Sequence, residues 1–275
     1  MAITKLQISK YARKLGANLI GFAPASRWDE YNEVEAAYRP AAIWPETNTV
    51  IVLGVPVLLP IIETTPSINY VELYDTTNKL LDQIAYRLAV YLTEKGHGSI
   101  FMPRDAYGDI QVLVNKPVAA FSHVFAGKYA GLGTIGYSHV LLNRQYGPRV
   151  RYVSVFTRLK IAPDDVLATD LCTKCRVCQR LCPTQAFTSR DDQLIALMDK
   201  HACARYHAQL RQEHRYPCGV CAKVCPVGED RQVFNSTDIG LYLQEKETIS
   251  KNPEDPRYKR WVHMRRHGSD GERLF

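Results

Sequence analysis

Eight cysteines fall within residues 172–225, and their spacing is that of metal chemistry. Cys172, Cys175, Cys178 and Cys182, followed by Pro183, form C-x2-C-x2-C-x3-C-P, the bacterial ferredoxin run that holds cubane iron–sulfur clusters. Three thiolates two residues apart can wrap one face of a cubane, while the fourth, past a short turn, points toward a second. The second run, Cys218, Cys221 and Cys225 before Pro226, lacks a leading cysteine, and Cys203 is the only thiol left to supply it. The expected ligand sets are therefore Cys172, Cys175, Cys178 and Cys225 for cluster one, and Cys182, Cys203, Cys218 and Cys221 for cluster two. That makes two [4Fe–4S] clusters with no thiol left over. Four-cysteine zinc sites also use C-x2-C pairs and remain the alternative, although a third cysteine two residues on and two C-P endings are unusual for them. Disulfides fit less well. The chain starts MAITKLQISKYARKLG, without an apolar signal-peptide core or a twin-arginine start, so a reducing cytoplasm is expected.

Length and composition narrow the classes. With 275 residues, 46% hydrophobic and 23% charged, the chain can bury one sizeable core plus a smaller module. The most apolar stretch, around Val50 to Ile62, is broken by Pro56 and Pro60 and is too short to span a bilayer. No membrane partner is expected. The net charge of +7 is densest at the carboxyl end, where residues 251–275 carry seven basic against four acidic side chains. Within PRYKRWVHMRRH, Tyr258 and Trp261 alternate with arginines in a way that suits RNA stacking, or equally a tail that lays its aromatic rings on the protein's own surface. The packed tail is the preferred reading.

The elements that must carry the cysteine module read as a mixed α/β fold. Residues 3–16 are a predicted amphipathic helix with Leu6, Tyr11, Ala12 and Leu15 on one side, and Asn18 to Ala23 a strand. Val50 to Val57 suits a strand covered on both faces. A long helix is expected from Tyr70 to Lys95, closed by Gly96. Strands are expected at Ser99 to Met102, Ile110 to Val114 and Val150 to Phe156, and a helix from Pro117 to Tyr129. Residues 161–170 read as a polar hinge. The expected organisation is a core over 1–165, a cluster module over 166–235 with little regular structure of its own, and a basic tail over 236–275.

Gly131-Leu132-Gly133-Thr134-Ile135-Gly136 satisfies G-x-G-x-x-G by letter only. It follows a predicted helix instead of a strand, and no acid lies at the expected offset, so dinucleotide binding is declined.

Three features in order, the N-terminal helix ending LGANLIGFAP, the segment AGKYAGLGTIGYSHVLLNRQYGPRVRYVSVFT at 126–157, and the two cysteine runs, resemble the superfamily of epoxyqueuosine reductases and reductive dehalogenases. The resemblance spans most of residues 3–230. It implies a nitroreductase-like α/β core that binds cobalamin base-off, with a bacterial ferredoxin-like dicluster module bringing two [4Fe–4S] clusters to the corrin. The chain also has no D-x-H-x-x-G motif, which the base-off mode does without. The resemblance places Gly131, Gly133, Gly136 and Ser138 against the corrinoid. It departs from the queuosine enzymes where their proton-donating Asp would stand, since this chain reads Val114-Asn115-Lys116-Pro117, and a counterpart of their C-terminal helical repeats is not expected, only the short basic tail.

Reduction of an organic substrate needs a proton as well as electrons. The candidates are Tyr107 and Asp105 in the loop RDAYGD, with the dehalogenases' tyrosine acid as precedent, and His123 before AGLG. Arg149 and Arg151 are expected to pair with acids, and His201, His207 and His214 to support the cluster ligands or face solvent. Expected partners are a low-potential donor such as ferredoxin or flavodoxin and a small-molecule or nucleoside substrate; a homodimer is left open. Two further readings stay open: an electron-transfer or activating protein serving a separate corrinoid partner, and a tRNA modification factor.

Overall fold

The computed structural model describes residues 3–105, 107–189, 193–267 and 274. Helix α1, Lys5–Lys14, opens with a capping box in which Thr4 accepts from the Gln7 backbone N–H and Gln7 answers to the Thr4 backbone. Strands β1, Leu19–Pro24, and β2, Thr49–Pro56, precede the long helix α2, Ile68–Glu94. Then come β3, Ser99–Met102, the helices α3, Ile110–Asn115, and α4, His123–Tyr129, and strand β4, Val150–Thr157. Beyond the first cysteine run lie α5, Lys200–Gln212, α6, Gly240–Lys251, and α7, Lys259–Arg266.

The four strands form one antiparallel sheet in the order β1-β2-β4-β3, with Phe22 opposite Ile51 and Val52 opposite Ser154. Strand β2 is buried along nearly its whole length because both faces are covered. Ile51, Leu53, Val153 and Val155 pack under α1 and α2 through Ile8, Ala12, Leu81, Ile84 and Leu88. On the other face, Val50, Val52 and Phe156 meet Trp28, Phe121, Ala126 and Tyr129. This two-sided core leaves the N-terminal end of β4, at Arg149 and Arg151, and the α2 flank to carry polar groups.

Several sequence expectations give way here. Ile110 to Val114 is helical despite its β-branched residues, because Asp109 accepts from the Gln111 N–H at its start and the helix packs along α5. The helix expected from Pro117 begins only at His123, where Ser122 accepts from the Phe125 N–H. In α1, Leu6 is 62% exposed and Ile8 takes the buried place. The supposed hinge is pinned: the Asp164 carboxylate accepts from the Phe22 N–H at 2.9 Å and from Lys5, and its carbonyl accepts from Arg27 at 2.8 Å. The cysteine region is also more regular than expected, since α5 runs for 13 residues.

Residues 236–266 fold onto both cysteine runs. Tyr242, Tyr258 and Trp261 are buried with Val177 and Val224, and the Tyr242 and Trp261 rings stack at 5.8 Å. Tyr258 and Trp261 are thus occupied by the protein itself, and neither is free to stack on a base.

Candidate active site

The thiols lie on loops whose backbone is turned by residues of unusual conformation. Lys174 and Arg176, between the first three cysteines, have φ of 56° and 57°, and Gly219, between Cys218 and Cys221, has φ of 68°. Left-handed residues alternating with ordinary ones turn successive N–H groups to one side, which makes a cradle for an anion. Backbone N–H groups of Gln179, Val220 and Val227 meet the sulfurs of Cys178, Cys218 and Cys225, and the Ala186 N–H reaches Cys182 at 3.4 Å.

The structure brings the eight thiols into two neighbouring sets. Cys172, Cys175, Cys178 and Cys225 ring one small cavity with Gly136 and Ser138, and the Ser138 hydroxyl bonds Cys178. Cys182, Cys203, Cys218 and Cys221 interact with one another, and Cys221 also feels Cys178 across the boundary between the sets. Burial pushes the Cys203 and Cys225 thiols up to about 11 and Cys218 up to about 12. Desolvation outweighs the nearby Arg149, Arg231 and Lys223 charges, so these sulfurs stay protonated at neutral pH and a metal core is what would make them thiolates. Among the described residues, no group of three or more His, Cys, Asp or Glu side chains converges to hold a single ion. Four thiols around one small cavity are the donor set that a cubane cluster uses.

A cleft of about 1160 Å³ opens beside the second set, between α2 and the loop after β3. That volume exceeds the usual ~300–1,000 Å³ of drug-sized pockets, leaving room for a macrocyclic or nucleoside-sized ligand. Its polar wall is a connected chain. The Tyr107 and Tyr216 hydroxyls lie 2.8 Å apart, Tyr216 lies 3.4 Å from Tyr74, and Tyr74 donates to Asp105 at 3.3 Å. Arg151 holds Asp105 at 2.6 Å and Asn78 at 3.0 Å, and its guanidinium lies over the Tyr74 ring at 4.5 Å. Desolvation, reinforced by Tyr74 and Asp105, raises the Tyr107 phenol well above its ordinary value. Tyr216 is raised likewise, by burial and then by Tyr74 and Tyr107. Both phenols keep their protons at neutral pH.

The cleft and the second thiol set share a wall. Tyr216 precedes Pro217 and Cys218 in sequence, and Thr65 donates to the Cys218 carbonyl at 2.6 Å. A Cβ on Gly219 would sit 2.5 Å from the Tyr70 ring, so only glycine admits that contact, and Tyr70 feels both Cys218 and Cys221.

Of the sequence candidates, Asp105 and Tyr107 line the cleft and His123 does not. The His123 Nε2–H donates to the Pro103 carbonyl at 2.8 Å, so Nδ1 accepts from Ser154 at 2.9 Å. Desolvation lowers its pKa to about 4, which makes it a neutral structural imidazole and removes it from the list of acids. Gly131 and Gly133 pack against protein. An added Cβ would collide with the Asp165 carbonyl at the first and with the Leu142 carbonyl at the second, so packing of protein backbone is enough to require glycine at both. Gly136 and Ser138 face the first thiol set. Arg149 and Arg151 pair with acids as expected, though these acids are buried or nearly so. His207 is enclosed against Tyr216, with its pKa lowered to about 4 by desolvation, and His214 lines the cleft. Sequence reading missed Tyr74 and Tyr216; the spacing of Tyr70, Tyr74 and Asn78 along one face of α2 and the place of Tyr216 before a ligand-type cysteine were the available signals.

No protein-family model matches the chain. It is 25% identical to the tetrachloroethene reductive dehalogenase of Desulfitobacterium hafniense over 183 residues, 60% of this chain and 30% of that protein. It is 24% identical to the epoxyqueuosine reductase of Francisella cf. novicida over 242 residues, 78% of this chain and 61% of that one. The chain thus spans about three tenths of the dehalogenase's length. A solved reductive dehalogenase, described in connection with B12-dependent dehalogenation, superposes with a TM-score of 0.62 at 22% identity, covering 88% of this chain and 34% of that one. Among the described residues no helix is long and apolar enough to cross a membrane.

Proposed function

From the membership of this chain in the superfamily of reductive dehalogenases and epoxyqueuosine reductases, we propose that it is a cytoplasmic iron–sulfur reductase that delivers electrons into the cleft beside Cys218. The reading divides the chain into a nitroreductase-like core over 1–165, a ferredoxin-like dicluster module over 166–235 and a tail over 236–275. Cys172, Cys175, Cys178 and Cys225 hold one [4Fe–4S] cluster, and Cys182, Cys203, Cys218 and Cys221 the other. Such clusters supply one-electron transfer at low potential, and cobalamin, the corrinoid this reading allows in the cleft, supplies a nucleophilic metal centre. The observation that carries the proposal is the shared wall: Tyr216 and Cys218 are two residues apart, one in the cleft and one in a thiol set.

The chain's own residues provide the proton and the geometry. Tyr107 holds its proton until a substrate atom more basic than a phenolate develops beside it, and then donates. Tyr216 and Tyr74 relay hydrogen bonding toward Asp105, while Arg151 lowers the cost of the phenolate that results. Electrons come from a low-potential carrier protein, and the substrate is a small organic molecule or a nucleoside. The rival role of electron donor to a separate corrinoid protein is disfavoured by a large cleft already furnished with an acid.

The test is an anaerobic titration of reconstituted protein with cobalamin, followed by turnover of halogenated aromatic and epoxide substrates with chemical reductant. A corrinoid spectrum altered by the protein, with turnover by the isolated chain, is expected. A spectrum unchanged by cobalamin together with no turnover would assign the chain to electron transfer.

A further inference from the structure

The Cys225 carbonyl accepts from two buried guanidinium groups, Arg149 Nη1 at 3.2 Å and Arg231 Nε at 2.7 Å. Arg149 is neutralised in place, since its Nε and Nη2 hold the two carboxylate oxygens of Asp230 at 2.6 and 2.7 Å. Arg231, 2% exposed, has no such partner among the described residues. Its other N–H groups go to uncharged acceptors: the Lys223 carbonyl at 2.5 Å, the Ser236 carbonyl at 2.7 Å and the Tyr242 hydroxyl at 2.9 Å. Among the described residues no carboxylate forms an ion pair with it. Glu63 is one bond further off, accepting from Tyr242 at 2.6 Å and already paired with Arg260 at 2.8 Å. A guanidinium removed from water without a counter-ion is costly, so its surroundings call for an anion.

We infer that Arg231 is the counter-charge of the first thiol set's cluster and raises its reduction potential, acting through the Cys225 peptide as a positioning residue. The inference rests on the iron–sulfur reading above and adds to it a named electrostatic control. Reduction adds one electron to the cluster and breaks no bond; with four thiolates the total charge goes from roughly 2− to 3−. A fixed positive charge in a poorly solvated place favours the more negative state. Arg149 is the internal comparison, because Asp230 cancels its charge at the same carbonyl.

The experiment is a mediated redox titration, with dithionite as reductant, of the full chain reconstituted anaerobically and followed by visible and electron paramagnetic resonance spectra. In R231Q one of two midpoints falls, so that at the wild-type midpoint the reduced-to-oxidised ratio drops about tenfold, equivalent to ~59 mV for one electron. The other midpoint stays. R231K retains the charge and stays near the wild-type value. D230N uncovers Arg149 and moves the same midpoint upward. An unmoved R231Q midpoint, or an R231K midpoint that falls as far as that of R231Q, overturns the inference. Should R231Q fail to load iron, D230N decides alone, and a midpoint that is unmoved or lowered there counts against it. Wild-type protein that takes up no cluster would instead sink the iron–sulfur reading.

Discussion

The sheet half of the molecule and the cysteine half are held together by different physics. Around β2 the cohesion is apolar, with Ile51, Leu53, Val153 and Val155 buried between helices. Around Cys225 it is polar: Arg149, Arg231, Lys223 and Arg265 are all buried, and their N–H groups hold backbone carbonyls and the carboxylates of Asp230 and Glu245. The apolar packing of the first half is complete from its own side chains. On the proposed iron–sulfur reading, the second also has eight thiols whose binding of an inorganic core would be part of its folding free energy.

The sharpest way to break this contrast is Cys218→Ser. It is expected to reduce iron from about eight to about four atoms per chain and to expose the region beyond residue 165 to protease while the sheet half survives. Wholesale degradation of both halves would show that they fold as one unit. Tyr107→Phe is next in size, with turnover expected to fall ~10²–10⁴-fold at unchanged iron content, as loss of a general acid does. An unaltered rate would place the acid elsewhere, Tyr216 being first in line. Leu53→Ala strikes the sheet alone: a loss of about 2–5 kcal/mol in urea unfolding, with iron per folded chain unchanged, is expected of a fully buried leucine.

The smallest effect concerns pH. His123 has a folded pKa of about 4, below its ordinary value of 6.5, so the unfolded chain binds the extra proton between those limits. Stability from the neutral, bonded ring is complete above about pH 6.5 and is lost as pH falls toward 4. Urea midpoints of wild type at pH 5 and 7 should differ more than those of His123→Gln. Equal differences would remove this residue from the acid response.

The two halves also differed in what could be read from sequence. The sheet and α2 were legible because burial on both faces of β2 and on one face of α2 leaves a periodic apolar pattern. The spacing of the cysteines is what suggests their partition into two ligand sets. Ile110 to Val114 was not legible, since β-branched residues on a short helix are decided by the Asp109 cap and by packing on α5. Nor was the cleft, whose acidic and phenolic wall joins Tyr74, Asp105, Tyr107, Arg151 and Tyr216 from four separate stretches of chain. Gly131 and Gly133 illustrate the converse: in a motif that looks ready for a ligand, packing against the backbone of Asp165 and Leu142 is enough to require both glycines.

The central claim is that the two thiol sets hold iron–sulfur clusters, and elemental analysis of anaerobically reconstituted protein tests it most directly. About eight iron and eight acid-labile sulfide per chain, with the brown colour of cubane clusters, is the expected result. Protein that binds zinc stoichiometrically and no sulfide under the same conditions would contradict it.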